Sequence, residues 1–155
     1  MHLKVFYIKL VVLTPQQNAR VERKHQHILN ITRALLFQSH LPKNNWSYAD
    51  VHAVSIMNRV HSLILNNKTP YFLLHNQTPD LHQLKVFGYL AYASTLQANR
   101  IKLASKARKC VFLGYKSGMK GVILLDTHSE EIFVSRNVTH HECIFPYKQH
   151  PSNVS

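Results

Sequence analysis

The sequence predicts an α+β fold, with a helical first half followed by a small antiparallel β-barrel or sandwich. Three observations predict it. Apolar residues recur at helical spacing up to about residue 75, four short β-rich runs follow residue 84, and 45% of the 155 residues are hydrophobic, which is enough for a packed core. The composition changes near residues 80–85, so we divide the chain into residues 1–84, a β-domain at 85–145 and a flexible polar tail at 146–155.

The predicted elements of the first half are one strand and three helices. A run rich in Val, Ile, Phe and Tyr predicts a short strand at residues 4–13. Thr14-Pro15-Gln16-Gln17 has the form of a capping box with proline at the first helical position, although Asn18 is a competing cap. The helix that follows extends to about Ser39 and is ended by Leu41-Pro42. Its predicted buried face consists of Val21, Ile28, Ile31 and Leu35.

Two further helices and four strands complete the prediction. The second helix is expected from Trp46 to Leu65, capped by Asn45, and the third opens at Thr69-Pro70 and extends through Leu74. The β-rich runs are VFGYLAYA, KCVFLGY, GVILLD and EIFVSRNV, and glycine or polar turns separate them. Strands of this length and spacing are typical of a small barrel or sandwich.

The charge of the chain indicates a polyanionic partner. There are 19 Lys and Arg against 7 Asp and Glu, a formal net charge of +12. We favour nucleic acid over an anionic membrane surface, because the charge is spread along the chain and no strongly amphipathic Lys/Trp helix is present. Two cysteines, no apolar run of membrane-spanning length and no cleavable leader indicate an intracellular protein, nuclear or cytoplasmic and not secreted.

Two clusters of basic residues are candidates for contact with phosphates. The first follows one face of the first predicted helix and consists of Arg20, Arg23, Lys24 and His27. A solvated helix face explains this stripe equally well. The second cluster consists of Lys102, Lys106, Arg108 and Lys109. It could contact DNA, but charged edge strands also protect sheets against aggregation. Nothing in either cluster indicates base-specific recognition.

Two other groups of residues suggest sites that we consider less plausible than structural roles. His140, His141 and Cys143, with or without Cys110, have a spacing that matches no common zinc motif. We therefore expect no metal site there. The aromatic residues Tyr89, Tyr92, Phe112 and Tyr115 alternate with small residues at strand spacing. We expect them to form the barrel core and not a base-stacking platform.

The residues also carry a resemblance to a known family. TPQQNARVERK, residues 14–24, resembles the T-P-Q-Q-N-G-V-A-E-R-K signature of copia-type retrotransposon integrases. The resemblance continues in order to about residue 148, through LP, Trp46, NR, NKTPY, PD, VFGYLAYA, KCVFLGY, KG, SRNV and HECIFPYK. It implies that the first half is the C-terminal part of a ribonuclease-H-like integrase core. It implies that the second half is the small Src-homology-3-like (SH3-like) barrel found downstream in the same Pol polyprotein.

The resemblance gives Glu22 the role of the last of three metal-binding carboxylates. The family cleaves and joins DNA strands with two magnesium ions, which need several carboxylate ligands. No acid precedes Glu22, and the signature's Gly-Val-Ala is replaced by Ala19-Arg20-Val21. The three aspartates, Asp50, Asp80 and Asp126, all follow Glu22. We therefore expect Glu22 to be vestigial and expect this chain alone to lack both cofactor and catalysis.

The resulting hypothesis is a truncated integrase or Pol polyprotein segment. Its ancestral activity is DNA integration, and its own activity is at most non-specific binding of DNA or another nucleic acid. The alternative is a non-catalytic scaffold that contacts protein. Because much of the central sheet of the core is missing, apolar helix faces would stay exposed and favour self-association. We expect the barrel half to hold together better than the helical half.

Overall fold

The computed structural model describes residues 15–82, 84–94, 107–116 and 118–148, with the backbone alone at residues 15–18 and 20. The strand predicted at residues 4–13 and the tail beyond residue 148 lie outside these residues. Elements are numbered in chain order within the described part. They comprise three α-helices, α1 to α3, followed by five β-strands, β1 to β5.

Helix α1 extends from Pro15 to Ser39, which confirms the predicted start at the proline and the end before Leu41-Pro42. His40, directly after it, has a left-handed backbone with φ of 55°. A 3-10 turn at Lys43–Asn45 leads into α2, Trp46–Met57. The four residues predicted for the buried face of α1 are half-buried.

Helix α2 is shorter than predicted, because it ends at Met57 and not at Leu65. The chain reverses direction after it: Ser62 forms an isolated β-bridge with Lys68, and Tyr71 N donates to Asn58 O at 2.9 Å. The reversal passes through Asn66 and Asn67, which adopt the left-handed conformation that asparagine tolerates well. A 3-10 turn at Leu63–Leu65 forms part of this loop. The helical spacing of the apolar residues did not reveal the reversal.

The short helix α3, Pro70–His75, agrees with the prediction. Thr69 caps it, since Phe72 N donates to Thr69 Oγ1 at 3.0 Å. Pro70 occupies the first turn, where its missing N–H leaves no intrahelical bond unmade. None of the helices in the described ranges is long and apolar enough to cross a membrane.

The second half forms one antiparallel sheet of five strands. These are β1 Leu90–Ser94, β2 Ala107–Tyr115, β3 Val122–Asp126, β4 Ile132–Ser135 and β5 Val138–His141. Their order is β4-β3-β2-β1-β5. The fourth predicted run, EIFVSRNV, is divided between β4 and the start of β5. The predicted α+β class is confirmed.

The connection from β4 to β5 forces the sheet to curl into a barrel. These strands are the two ends of the sheet order, yet only residues 136 and 137 separate Ser135 from Val138. Three residue steps span at most about 10 Å. The sheet edges are therefore close at this corner, where Ser94 N donates to Asn137 O at 3.0 Å.

The sheet has two cores, one on each face. The inner core lies inside the barrel and consists of Tyr89, Ala91, Ala93, Cys110, Phe112, Val122 and Leu124. The outer core joins the other face of the sheet to the helices and consists of Leu41, Ala49, Phe87, Val111, Leu113 and Leu125. Strand β2 contributes to both, since its residues alternate between the faces. This explains why KCVFLGY is an almost continuous apolar run.

A close contact between Ser39 and Gly88 fixes the helical half against the sheet. Ser39 is fully buried at the end of α1, and Gly88 has a positive φ of 79°. A Cβ added to Gly88 would lie 2.1 Å from Ser39 Cβ. Gly88 N also donates to Phe112 O at 2.9 Å. Only glycine allows the end of α1 to approach the sheet this closely.

Apolar side chains that the sheet does not cover remain exposed on the helical half. The outer core covers Ala49, whereas Trp46 is 56% exposed. The loop after α2 carries the most exposed pair, Leu63 at 85% and Ile64 at 92%. Phe37, near the end of α1, is 79% exposed. The sheet thus buries part, and only part, of the apolar surface of the helices.

Candidate nucleic-acid interface

The predicted stripe on α1 presents cationic side chains to solvent. Arg23, Lys24 and His27 are all exposed, and their spacing of three and four residues places Arg23 and Lys24 on the same helix face as His27. The backbone of Arg20 lies on the same helix. Arg23 Nε donates to Ala19 O at 3.1 Å, which holds the guanidinium along the helix. Such a face can make salt-sensitive contacts with phosphates.

The same face includes a surface depression of about 440 Å³. Arg23 and His27 line it together with Gln26 and Asn30. Gln26 Nε2 donates to Asn30 Oδ1 at 3.1 Å, so the two amides are aligned along the helix. These two amides were not among the residues predicted for the site. Gln26 comes three residues after Arg23 and Asn30 three residues after His27, and this helical spacing was the available signal.

Glu22 is exposed and lies away from this stripe. It is one residue from Arg23 and two from both Lys24 and Arg20, and such neighbours on a helix do not face each other. Within the described ranges, no ion pair includes Glu22. Glu22 is therefore adjacent to the cations in sequence but does not share their helix face.

The described residues do not fit the magnesium site that the resemblance implies. Two divalent ions need several oxygen ligands from converging carboxylates. Across residues 15–82, 84–94, 107–116 and 118–148, no three His, Cys, Asp or Glu side chains are grouped closely enough to hold a metal. Asp50 instead accepts a hydrogen bond from Thr32 Oγ1 at 3.4 Å, which connects α2 to α1.

The second predicted basic cluster is only partly described. Lys102 and Lys106 lie outside the described residues. Arg108, on β2, is ion-paired with Glu131 at 3.3 Å and with Asp126 at 3.9 Å. Its guanidinium also lies 5.6 Å from the centroid of the Phe133 ring. These contacts hold Arg108 within the sheet and offset its charge.

Lys109 is exposed on the strand face opposite Arg108, since neighbouring strand residues alternate. Its carbonyl oxygen accepts hydrogen bonds from Thr127 N at 3.1 Å and Thr127 Oγ1 at 3.0 Å. No hydrogen bond or ion pair between described residues joins Arg108 or Lys109 to α1. The structure thus brings the α1 cations together on one face and leaves the β2 cations apart from them.

The His and Cys residues considered as metal ligands have separate environments. Cys110 belongs to the inner core, and burial raises the pKa of its thiol to about 11. Cys143 is exposed. His140 Nδ1 is hydrogen-bonded to Tyr89 Oη, and burial lowers the pKa of its imidazole.

The four alternating aromatic residues do not all lie in the core. Tyr89 and Phe112 are fully buried and stacked, with ring centroids 4.9 Å apart. Tyr92 is half-buried on β1. Tyr115, at the end of β2, is 39% exposed and contacts the ring of Phe112 edge-on, with centroids 5.3 Å apart. The predicted core role therefore applies to Tyr89 and Phe112 and fails for Tyr115.

Two exposed cations close to Tyr115 were absent from the predicted set. Lys120 comes just before β3, and Arg136 comes just after β4. They are 16 positions apart in sequence, but β3 and β4 pair with Val122 opposite Ser135. This register brings both cations to the same end of the strand pair. From sequence, the signal was one cation directly before the run GVILLD and another within the next run, EIFVSRNV.

Comparison with known proteins identifies relatives along most of the chain. Residues 89–153 match the family model of the retroviral polymerase SH3-like domain. The retrovirus-related Pol polyprotein from transposon RE1 of Arabidopsis thaliana is 34% identical over 142 residues, which is 92% of this chain and 10% of that relative. These matches confirm the resemblance to retrotransposon Pol polyproteins and the SH3-like nature of the second half.

Two other Pol polyproteins give a similar result. The one from transposon RE2 of Arabidopsis thaliana is 34% identical over 134 residues, 86% of this chain and 9% of that relative. The one from transposon TNT 1-94 of Nicotiana tabacum is also 34% identical over 134 residues, 86% of this chain and 10% of the relative. The chain thus spans about a tenth of the length of the curated relatives it matches.

Proposed function

We propose that this chain is a segment that binds nucleic acid without sequence preference. The premise is that the chain belongs to the copia-type retrotransposon Pol polyproteins and contains a retroviral polymerase SH3-like domain. We further propose that the helical half derives from the C-terminal part of an integrase core. In that interpretation Glu22 is the last carboxylate of a catalytic trio, and DNA integration is the ancestral activity.

The observation that carries the binding proposal is the distribution of charge. The chain carries a formal charge of +12, and the exposed face of α1 presents Arg23, Lys24 and His27 without a carboxylate at the three- and four-residue spacings that join them. Polyanions accumulate at such a surface, and phosphate contacts of this kind are independent of base sequence. Amides at the same surface, Gln26 and Asn30, can add hydrogen bonds to phosphate or sugar oxygens.

A salt titration with a labelled DNA duplex tests the proposal. We expect binding at low salt that weakens steeply as salt rises, with a slope of log K against log salt of roughly −0.9 per phosphate contact. Replacing Arg23→Ala and Lys24→Ala together should make the slope shallower by about 2, one for each lost contact. The matched control is Lys43→Ala with Lys148→Ala, which removes the same charge from other exposed positions.

Equal losses in the two double variants would mean that α1 is not a specific contact surface. A folded chain that binds no duplex at low salt would contradict the function itself and favour the alternative, a protein-interaction scaffold. The adjacent and exposed Leu63 and Ile64 are the observation that supports that alternative, because neighbouring large apolar side chains on a surface mark contact sites.

A further inference from the structure

A groove of about 340 Å³ lies at one end of the barrel, and its lining includes none of the described residues of the two predicted basic clusters. Tyr115 at the end of β2 forms one side of it, and Lys120 with Arg136 forms the end where β3 and β4 meet. Val138 and His140 on β5 contribute the remaining side. The groove therefore exists only because the barrel closes and brings β2, β3, β4 and β5 together.

The polar lining of the groove favours anions. Lys120 and Arg136 are exposed, and among the described residues that line the groove there is no carboxylate. Glu142 acts electrostatically on Tyr115 and His140 but is not part of the lining, and it accepts from Lys85 Nζ at 2.7 Å and from Val86 N at 3.2 Å. Two cations at one end of a concave surface with no acid in its described lining can hold a phosphate.

The aromatic side of the groove has a fixed ring that is accessible to a ligand. Tyr115 is 39% exposed, although its ring edge packs against the buried Phe112. Burial of the hydroxyl and the nearby Glu142 carboxylate raise the pKa of Tyr115 to about 12, so the phenol stays neutral at physiological pH. A neutral aromatic ring beside paired cations is the combination with which proteins stack a base and hold its phosphate.

We propose that this groove binds one nucleotide of a single-stranded nucleic acid, with the base against Tyr115 and the phosphate between Lys120 and Arg136. The inference rests on the proposed nucleic-acid-binding function and specifies a second surface and a strand state for it. A single strand is required because the bases of a duplex are already stacked and paired, whereas an unpaired base can turn into a concave site. The α1 stripe has no such concave aromatic surface and serves duplex and single strand alike.

Binding of a fluorescent ten-nucleotide oligothymidylate and of a duplex of equal length tests the groove. Tyr115→Leu should weaken binding of the oligothymidylate about tenfold and change duplex binding less than about twofold, because only the unpaired base stacks. Tyr115→Phe keeps the ring and should bind like the original chain. Tyr92→Leu is the control for loss of a half-buried tyrosine elsewhere on the same sheet.

The charge contribution is tested by Lys120→Ala with Arg136→Ala, compared with Arg23→Ala with Lys24→Ala. The groove pair should weaken the oligothymidylate more than the duplex, and the α1 pair should weaken both equally. Thermal melting of every variant verifies that it is folded. Where a variant is not folded, its binding measurement is replaced by photocrosslinking of the unaltered chain to a 5-iodouracil oligonucleotide. The expected crosslink is at Tyr115.

The outcomes separate this inference from the function on which it rests. If the chain binds both nucleic acids and the groove variants bind like the original, the groove proposal is overturned and the α1 proposal stands. Equal weakening of duplex and single strand by Tyr115→Leu, or crosslinks only outside the groove, also overturns it. If the folded chain binds neither nucleic acid at low salt, both proposals fail together.

Discussion

The strands of the second half enclose their own core, whereas the helices of the first half bury much of their apolar surface against the outside of that same sheet. Tyr89 and Cys110 are fully buried within the barrel itself. Leu41 and Ala49, in contrast, are covered through contact with Leu113 and Leu125. The helical half therefore depends on the barrel, while the inner core of the barrel includes no residue of the helices.

This difference teaches that one strand can stabilise two structural units. Strand β2 is buried on both faces because Phe112 points into the barrel and Val111 and Leu113 point towards the helices. We expect substitutions in the outer core to destabilise the helices first, and substitutions in the inner core to destabilise both the helices and the barrel.

The largest expected effect comes from Gly88→Ala. The new Cβ would lie 2.1 Å from Ser39 Cβ in a backbone with φ of 79°, so either the end of α1 or the turn before β1 must move. Left-handed strain and overpacking together should lower the free energy of unfolding by roughly 3–5 kcal/mol. Urea denaturation measures the loss. Gly118→Ala is the matched control, with φ of 76° and nothing within 4 Å, and should cost only about 1–2 kcal/mol.

Equal costs for the two glycine variants would mean that the close approach of Ser39 to Gly88 contributes nothing beyond backbone strain. The junction would then need another explanation.

Leu113→Ala should have the next largest effect, about 2–5 kcal/mol, because it leaves a cavity in the outer core. Hydrogen exchange is the informative measurement. Amides of α1 and α2 should exchange faster, while β1 to β3 keep most of their protection. The exposed Ile132, on β4, gives the control variant Ile132→Ala.

Limited proteolysis of the same variant sharpens the comparison. The fragment that resists cleavage should contain the strands. Protection found only before about residue 84 would contradict the dependence of the helices on the barrel and our expectation that the barrel half holds together better.

A smaller, local effect is expected from Thr69→Ala. Loss of the bond from Phe72 N to Thr69 Oγ1 removes the N-cap of α3 and should cost about 1 kcal/mol. Thermal melting followed by circular dichroism detects it. Ser62→Ala is a suitable control, because Ser62 precedes a 3-10 turn without making a side-chain capping bond. If the barrel amides lost protection in Thr69→Ala, the cap would not be local.

The smallest expected effect on stability comes from protonation of His52, which is buried against Phe87 and Phe112. Burial, opposed in part by a hydrogen bond to the Lys85 backbone, lowers the pKa of this imidazole below its usual 6.5. The folded state therefore favours neutral His52. Its contribution to stability is complete above about pH 6.5 and is lost as the pH falls from there through the lowered pKa of the folded state.

Unfolding free energies of the original chain and of His52→Phe, measured from pH 7.5 to 5, test this effect. Acidification also protonates His140, whose pKa burial lowers too. The difference between the two chains isolates His52. The phenylalanine variant should lose less stability on acidification, and parallel curves would show that His52 takes no part.

Local patterns were sufficient to predict several elements of the fold. Pro15 at the start of α1, the Thr69-Pro70 cap of α3 and the β-rich runs all act through short-range chemistry. The overlong prediction for α2 failed because the reversal at Asn66 and Asn67 is fixed by pairing of Ser62 with Lys68. Continued apolar spacing could not reveal that pairing.

One candidate site can be predicted from sequence spacing, and the other cannot. A helical stripe such as Arg23, Lys24 and His27 can be identified from spacing alone, since residues three and four apart share a face. The groove at Tyr115, Lys120 and Arg136 could not be, because the register of β3 with β4 and the closure of the barrel bring those residues together. Likewise, the ion pairs that hold Arg108 depend on the strand neighbours that fold beside it.

The sequence by itself determined the class of fold, the family and the excess of positive charge, since these depend on composition, periodicity and ordered motifs. The tertiary structure alone decided that Arg108 pairs with Glu131, that β2 serves two cores and that Tyr115 lines a cationic groove. The physical reason is that side-chain neighbours across strands and between helix and sheet are set by packing and pairing. These contacts join residues that are far apart in the chain, and no local pattern encodes them.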